Sequence, residues 1–306
     1  MLSEVEKQVL KAISNDHSIP QVAYNLRKNG EGADRSSDEE ITINTKKDKP
    51  GIDVFVKPGT KNKSVHIPVI ISKTGITDMV YNSFDIGEDS DVLIVAGCGI
   101  HNPGDDKSQH DGIHEFLVRK NAHMKYTEKH YGQGEGMGKR ILNPKTILEV
   151  FEGGSVEMEL IQIKGVDNTI RETEVTLHEG ASLIVTERLF TDYNQKAESH
   201  INIRLLGENS SAQIISRSVA RGKSEQTYYF NMIGENKCAG HIQCDAIIMD
   251  GAKITSLPAI SAFHQDAQLI HEAEIGRISS EQLIKLMSLG LSEKEAEDKI
   301  LEGFLK

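Results

Sequence analysis

Cys238, His241 and Cys244 fall within the eight residues CAGHIQCD (238–245) of a chain that holds only three cysteines. Thiolate sulfur is the soft ligand that iron, zinc and sulfide prefer, and imidazole nitrogen suits the same metals. The stretch therefore admits metal chemistry, and it equally admits a β-strand with small buried side chains. In a regular strand, alternation puts Cys238, Gly240, Ile242 and Cys244 on one face and His241 on the other. Cys238 also takes the small-residue position of a repeated turn and reads as structural. Cys244 is the stronger candidate for chemistry, and His241, His264 and His271 lie near enough in sequence to add imidazole nitrogens. The alternative is a buried strand cysteine among hydrogen-bonded histidines.

A second group lies in GCGIHNPGDDKSQHDGIHEF (97–116), with Cys98, His101, His110 and His114. One thiolate and three imidazoles make a reasonable zinc or iron set, and Gly and Pro let a loop close around an ion. His110 and His114 have the spacing of a zinc-protease HExxH helix, but Asp111 replaces the glutamate and Gly112 disfavours a helix. A polar corner between strands is the competing reading. The glycine-dense YGQGEGMG (131–138) lacks the Gly-Lys-Ser/Thr ending of a phosphate loop and reads as a turn, so nucleotide binding is unsupported.

The elements that must carry these residues are strands. From 52 to 275 the chain reads as short alternating segments bounded by turn residues, among them IDVFVK, DVLIVAG, SVEMELIQI and HIQCDAII. The turns rhyme at Glu152-Gly153-Gly154, Glu179-Gly180-Ala181, Glu208-Asn209-Ser210 and Glu235-Asn236-Lys237, recurring every 27 to 29 residues. A solenoid repeats its corner in this way, so the pattern predicts a β-helix, with a sandwich or jelly roll as alternatives.

On either side the pattern changes. Residues 1–51 predict an amphipathic helix, with Leu2, Val5, Val9, Leu10 and Ile13 on one side, then a mobile linker from Arg27 holding one short edge strand. Residues 276–306 predict a helical hairpin, its helices opened by Ser279-x-x-Gln282 and Ser292-x-x-Glu295 and divided at Gly290. Leu283, Leu286, Met287, Leu291, Ile300 and Phe304 give this hairpin more apolar surface than it can bury alone, so the β-body or a partner must cover it.

A net charge of −11, no Trp and no basic domain speak against nucleic acid as a partner. No apolar run reaches the length of a membrane span, no leader-like segment opens the chain, and three cysteines make no disulfide framework, so the cytoplasm is the expected location.

The segment HEAEIGRISSEQLIKLMSLGLSEKEAEDKILEGFL (271–305) resembles the C-terminal signature of the SufB/SufD scaffolds of SUF iron–sulfur cluster assembly. NKCAGHIQCDAII resembles the SufB strand with a Gln-Cys-Asp tripeptide, here Gln243-Cys244-Asp245, and the likeness extends over most of the chain from Lys46. The resemblance implies a right-handed parallel β-helix with an N-terminal helix and a C-terminal helical hairpin, dimerisation through the core, and docking of a SufC-type ABC ATPase on the C-terminal helices. It implies Cys244 and Glu272 as residues of a transient iron–sulfur cluster site shared across the dimer, fed by a sulfur donor and emptied by recipient proteins. The long N-terminal portion of full-length SufB, with its cysteine-rich motif, has no counterpart, which makes a homodimer more natural than a SufB–SufD heterodimer; flavin involvement stays open.

A scaffold without turnover of its own is thus the leading expectation. The rivals are an inactive SufD-like partner-binding paralogue, a metalloprotein using Cys98, His101, His110 and His114, and a β-helix enzyme on acidic polysaccharide, the last disfavoured by the negative charge and few aromatics.

Overall fold

The computed structural model describes residues 2–14 and 23–306. It is 60% strand, a β-solenoid of about 8 turns with a helix before it and helices after it. In chain order the elements are α1 (Glu4–Ser14), β1 (Ala23–Lys28), β2 (Glu31–Ser36), β3 (Ile41–Thr45), β4 (Gly51–Val56), β5 (Lys61–Ile71), β6 (Thr77–Ile86), β7 (Asp91–His101), β8 (Ser108–Val118), β9 (His123–Gln133), β10 (Arg140–Leu142), β11 (Lys145–Val150), β12 (Ser155–Lys164), β13 (Asn168–Leu177), β14 (Ser182–Thr191), β15 (Lys196–Leu205), β16 (Ser210–Ala220), β17 (Glu225–Gly234), β18 (Cys238–Ile248), β19 (Lys253–Ala262), β20 (Gln268–Gly276), α2 (Ser280–Ser288) and α3 (Glu293–Phe304).

The chain winds between two ten-stranded sheets. One runs β2-β1-β5-β7-β9-β12-β14-β16-β18-β20, the other β3-β4-β6-β8, then β10 and β11, then β13-β15-β17-β19. Successive rungs pair in parallel, while β1 with β2 and β3 with β4 pair antiparallel at the start. Period-two alternation sends every second side chain into the lumen, where the main core runs unbroken from Ala23 to Cys244.

Corners stack as the sequence predicts. Gly59, Asp89, Asn121, Gly153, Gly180 and Asn209 form one column at positive φ, each N–H bonding a carbonyl one rung on, as Gly153 does to Glu179 at 2.9 Å. Asp91, His123 and Ser155 share a register position 32 residues apart, and Ser182, Ser211, Ala239 and Gln268 continue it at 27 to 29. The longer rungs carry stacked loops: a Cβ on Gly136 would lie 2.1 Å from Gly104 O, and one on Gly138 2.1 Å from Asp106 O. This close backbone approach, not phosphate binding, accounts for the glycines of YGQGEGMG.

Residues 27–51 differ from the expected mobile linker. They complete β1 and supply β2 and β3, which close the first end of the solenoid. Edge strands face water on at least one side, so the polar composition that suggests a linker is compatible with pairing. α1 lies on the outside of the first sheet with Val9, Leu10 and Ile13 fully buried against Leu26 and Ile70. Leu2 precedes the helix and is half-buried, as is Val5.

At the far end α3 opens with the expected capping box, the Ser292 side chain accepting from Glu295 N–H and Glu295 accepting from Ser292 N–H. Ser279 makes no side-chain cap bond, so the first expected box does not form. Leu289 ends α2, and Gly290 follows at φ +97°. Ala296 and Leu301 of α3 are buried; α2 has no buried residue.

Candidate functional site

Cys244 points into the lumen from β18 and is fully buried. Ser216 of β16 and Ala273 of β20 flank it in register, and Ser256 Oγ of β19 lies 3.6 Å from its sulfur. Burial pushes the thiol up to about 11, helped by the charges of Glu187 and Asp245 and opposed by Ser256. In the single chain Cys244 is therefore a neutral thiol. Beyond it lies only the last rung, one strand spacing of about 4.8 Å, whose strands β19 and β20 are edges.

The other residues expected with Cys244 divide between the two faces of the sheet. The registers Gln243 to Glu272 and Cys244 to Ala273 put Glu272 outside and Cys244 inside. Glu272 lies 3.4 Å from His241 Nε2, also outside. His271 points inward beside Ile242, its buried Nε2 without a hydrogen-bond partner, and burial followed by the His241 charge lowers its pKa. His264 lies in the β19–β20 turn, where its Nδ1 accepts from Asp266 N–H at 3.2 Å. Within one protomer the thiol meets neither the carboxylate nor His241. Cys238 is a core residue, buried in the main cluster.

The second group also sorts by face. Cys98, His110 and His114 point inward, while His101 takes the outward parity of β7. His114 Nδ1 bonds Tyr126 Oη at 2.8 Å, and burial lowers this imidazole to about 4. Among the described residues no three His, Cys, Asp or Glu side chains are placed to hold one metal ion. Cys98 instead lies between the imidazoles of His110 and His130; burial pushes its thiol up, and the two rings more than offset this, leaving it at about 7.

His130 begins a line of buried polar groups that the sequence reading missed. Its Nε2 lies 3.2 Å from Glu128 Oε1, Glu128 pairs with Arg171, and Arg171 Nε lies 3.7 Å from Glu187 Oε1. Glu187 accepts from Ser199 Oγ at 2.7 Å and Ser216 Oγ at 3.1 Å, and Ser216 is the register neighbour of Cys244. Burial pushes the Glu128 carboxyl up, and Arg171 and His130 more than reverse it; burial dominates at Glu187 and raises it. Two of the three buried thiols thus differ in character, Cys98 lowered by flanking imidazoles and Cys244 raised by burial, and a polar strip runs between them. A usable signal was present: in HMKYTEKHY, Met124 and Tyr126 share their parity with Glu128 and His130.

Residues 70–304 match the family model described as SUF system FeS cluster assembly, SufBD core domain. The chain belongs to the SufBD family. An iron-sulfur cluster assembly SufBD family protein of Archaeoglobus fulgidus is 30% identical over 286 residues, covering 92% of this chain and 73% of the relative. One from Methanocaldococcus jannaschii is 28% identical over 278 residues, covering 89% and 86%. A Staphylococcus aureus relative is 28% identical over 240 residues, covering 74% of this chain and 50% of its own length. The resemblance in the terminal helices and the Gln-Cys-Asp strand identified the family, and the function at this level is iron–sulfur cluster assembly. No helix among the described residues is long and apolar enough to cross a membrane.

Proposed function

We propose that this SufBD protein is a SufB-like scaffold on which an iron–sulfur cluster, as cargo, is assembled at a seam between two copies of the chain. The observation that carries this reading is the position of Cys244 one strand from an uncapped end of the solenoid. There β19 and β20 leave their outer edges unpaired, and Leu257, Ile260, Phe263, Ile270 and Ile275 are exposed. Unpaired edges with exposed apolar side chains are templates for pairing, and a two-fold interface would bring each residue in twice. Two Cys244 thiols and two His271 rings would then approach one seam, with Glu272 and His241 at its rim. A cluster in transit needs few, exchangeable ligands rather than a closed four-cysteine cage.

A SufC-type ATPase is the proposed partner at the C-terminal hairpin. Ile284, Met287 and Leu289 are exposed there, Leu283, Leu286, Leu291, Ile300 and Phe304 are half-buried, and no residue of α2 is fully buried. Closure of paired ATPases would work mechanically on the seam, where Cys244, neutral and enclosed in the resting chain, gains access to iron and sulfur.

Anaerobic reconstitution with ferrous iron and sulfide tests the site. Wild-type protein should gain iron–sulfur absorbance and acid-labile sulfide, and Cys244→Ala should lose both while remaining folded. Full cluster yield in that variant would remove Cys244 from the site and leave the partner-binding paralogue as the better reading.

A further inference from the structure

We propose that Arg27, Asp78 and His110 form a positioning relay that holds Cys98 as an ion-paired thiolate in the lumen, with Asp78 fixing the imidazole for this task. Arg27 Nε donates to Asp78 Oδ2 at 2.8 Å and Arg27 Nη2 to Asp78 Oδ1 at 2.6 Å, a two-point clamp from β1 onto β6. His110 Nδ1 meets the same carboxylate at 3.0 Å. Burial pushes Asp78 up, and Arg27 and His110 overcome it and lower the carboxyl, so the oxygen accepts and His110 Nδ1 carries the proton.

That leaves His110 Nε2 as the nitrogen facing the thiol. It is buried and makes no hydrogen bond among the described residues, and His110 lines one small enclosed cavity together with Cys98 and His130. Transfer of the thiol proton to Nε2 gives an imidazolium with the carboxylate on one side and the thiolate on the other. Cysteine nucleophiles activated by a carboxylate-oriented histidine have the same arrangement. All four side chains are nearly enclosed: Arg27 is 12% exposed and Asp78 3%, with His110 at 2% and Cys98 at 4%.

The titratable and charged groups facing this pair are Asp78 from β6, His114 from β8, Tyr126, Glu128 and His130 from β9, and Arg171 from β13. Glu128 pairs with Arg171 and with His130 Nε2 at 3.2 Å, and burial keeps His114 neutral, so among the described residues His130 is the second imidazole acting on the thiol. The spacing of Cys98, His110 and His114 suggests a metal set; the geometry makes it a thiol with an orienting acid. Only the purpose of the thiolate rests on the scaffold reading, since the deprotonated form is the one that binds iron or attacks the outer sulfur of a donor persulfide, the donor leaving as its own thiolate.

Thiolate absorbance near 240 nm, followed against pH in full-length protein carrying Cys238→Ala and Cys244→Ala, reads Cys98 without requiring reagent access. The same scan with Cys98→Ala added supplies the background. The expected midpoint is about 7, and Asp78→Asn should raise it by at least about one pH unit. In a His110→Gln background, which itself raises the midpoint, Asp78→Asn should add nothing, because Asp78 acts through the ring. A midpoint at or above the ordinary thiol value of about 8.5, or the same Asp78→Asn shift with and without His110, overturns the relay. Should Asp78→Asn fail to fold, imidazole ¹⁵N shifts of His110 in the unsubstituted chain decide. Both nitrogens protonated at about pH 8 support the relay, and a neutral ring overturns it. No iron or sulfide enters these measurements, so their failure and a failure of Cys244-dependent assembly are separate results.

Discussion

Cys244 and Glu272 occupy neighbouring strands one register step apart, yet they project from opposite faces of the sheet, the thiol into the lumen and the carboxylate into solvent. No side-chain rotation within one chain brings them together, because the strand backbone lies between them. A site using both must therefore be completed at the end of the solenoid, where inside and outside meet.

Association through that end should be sensitive to charge. Leu257→Asp or Ile270→Asp alters an exposed side chain and should cost a folded single chain less than about 0.5 kcal/mol. Either should convert dimers to monomers in light scattering coupled to size exclusion. A wild-type protein that is monomeric at all accessible concentrations would remove the shared seam.

The buried strip should be costly to break and far cheaper to replace. Arg171→Met leaves Glu128 and Glu187 enclosed without their cation and should cost about 3–5 kcal/mol in denaturant unfolding. Replacing Glu128, Arg171 and Glu187 together by apolar residues of similar volume should recover most of that loss.

Contact between α1 and the sheet depends on the absence of side chains at two positions beside Cys98. A Cβ on Gly99 would lie 2.2 Å from Val9 Cγ1, and one on Gly97 2.7 Å from Ile13 Cβ. Gly99→Ala should lower stability by about 1–3 kcal/mol and speed tryptic cleavage at Lys7 and Lys11.

Docking of the same helix should weaken in acid. Burial would raise Glu6, but Lys28, the Ser3 N–H and Ser72 outweigh it and hold the carboxyl at about 2 against an ordinary 4.5. Because the folded value is depressed, the contribution is complete above 4.5 and fades as pH falls through 2. The melting-temperature gap between wild type and Glu6→Gln should be full at neutral pH and vanish near the lower limit.

The two serines that open the C-terminal helices should respond differently. Ser292→Ala removes a formed capping box and should cost about 1 kcal/mol, seen as faster amide exchange in α3. Ser279→Ala should leave α2 exchange unchanged, since its side chain makes no cap bond.

How much of this was legible in the sequence depended on whether a feature was local. Gly153, Gly180 and Asn209 announce their corners because positive φ restricts residue choice, so the solenoid could be read from its later rungs. The earlier rungs hid their repeat behind the stacked loops at 102–107 and 134–139. The parity of Cys238, Ile242 and Cys244 was correct from alternation alone, whereas the separation of Cys244 from Glu272 required the register of two strands. Ser279 and Ser292 carry equivalent motifs, and only geometry distinguishes the box that forms. Asp78 and Arg27 belong to no motif; their meeting with His110 is created by pairing across 32 and 51 residues.

The two ends of the solenoid are chemically unlike. The first finishes in antiparallel strands, and β2, with the sequence EGADRS, is short, charged and largely exposed, features that discourage another chain from adding to it. The last finishes in parallel strands with oily side chains and unsatisfied backbone. Among the described residues edge-to-edge growth is therefore favoured at one end only, and on the scaffold reading a second copy arriving there would cover that edge, so the assembly would stop at a pair and not run on into filaments.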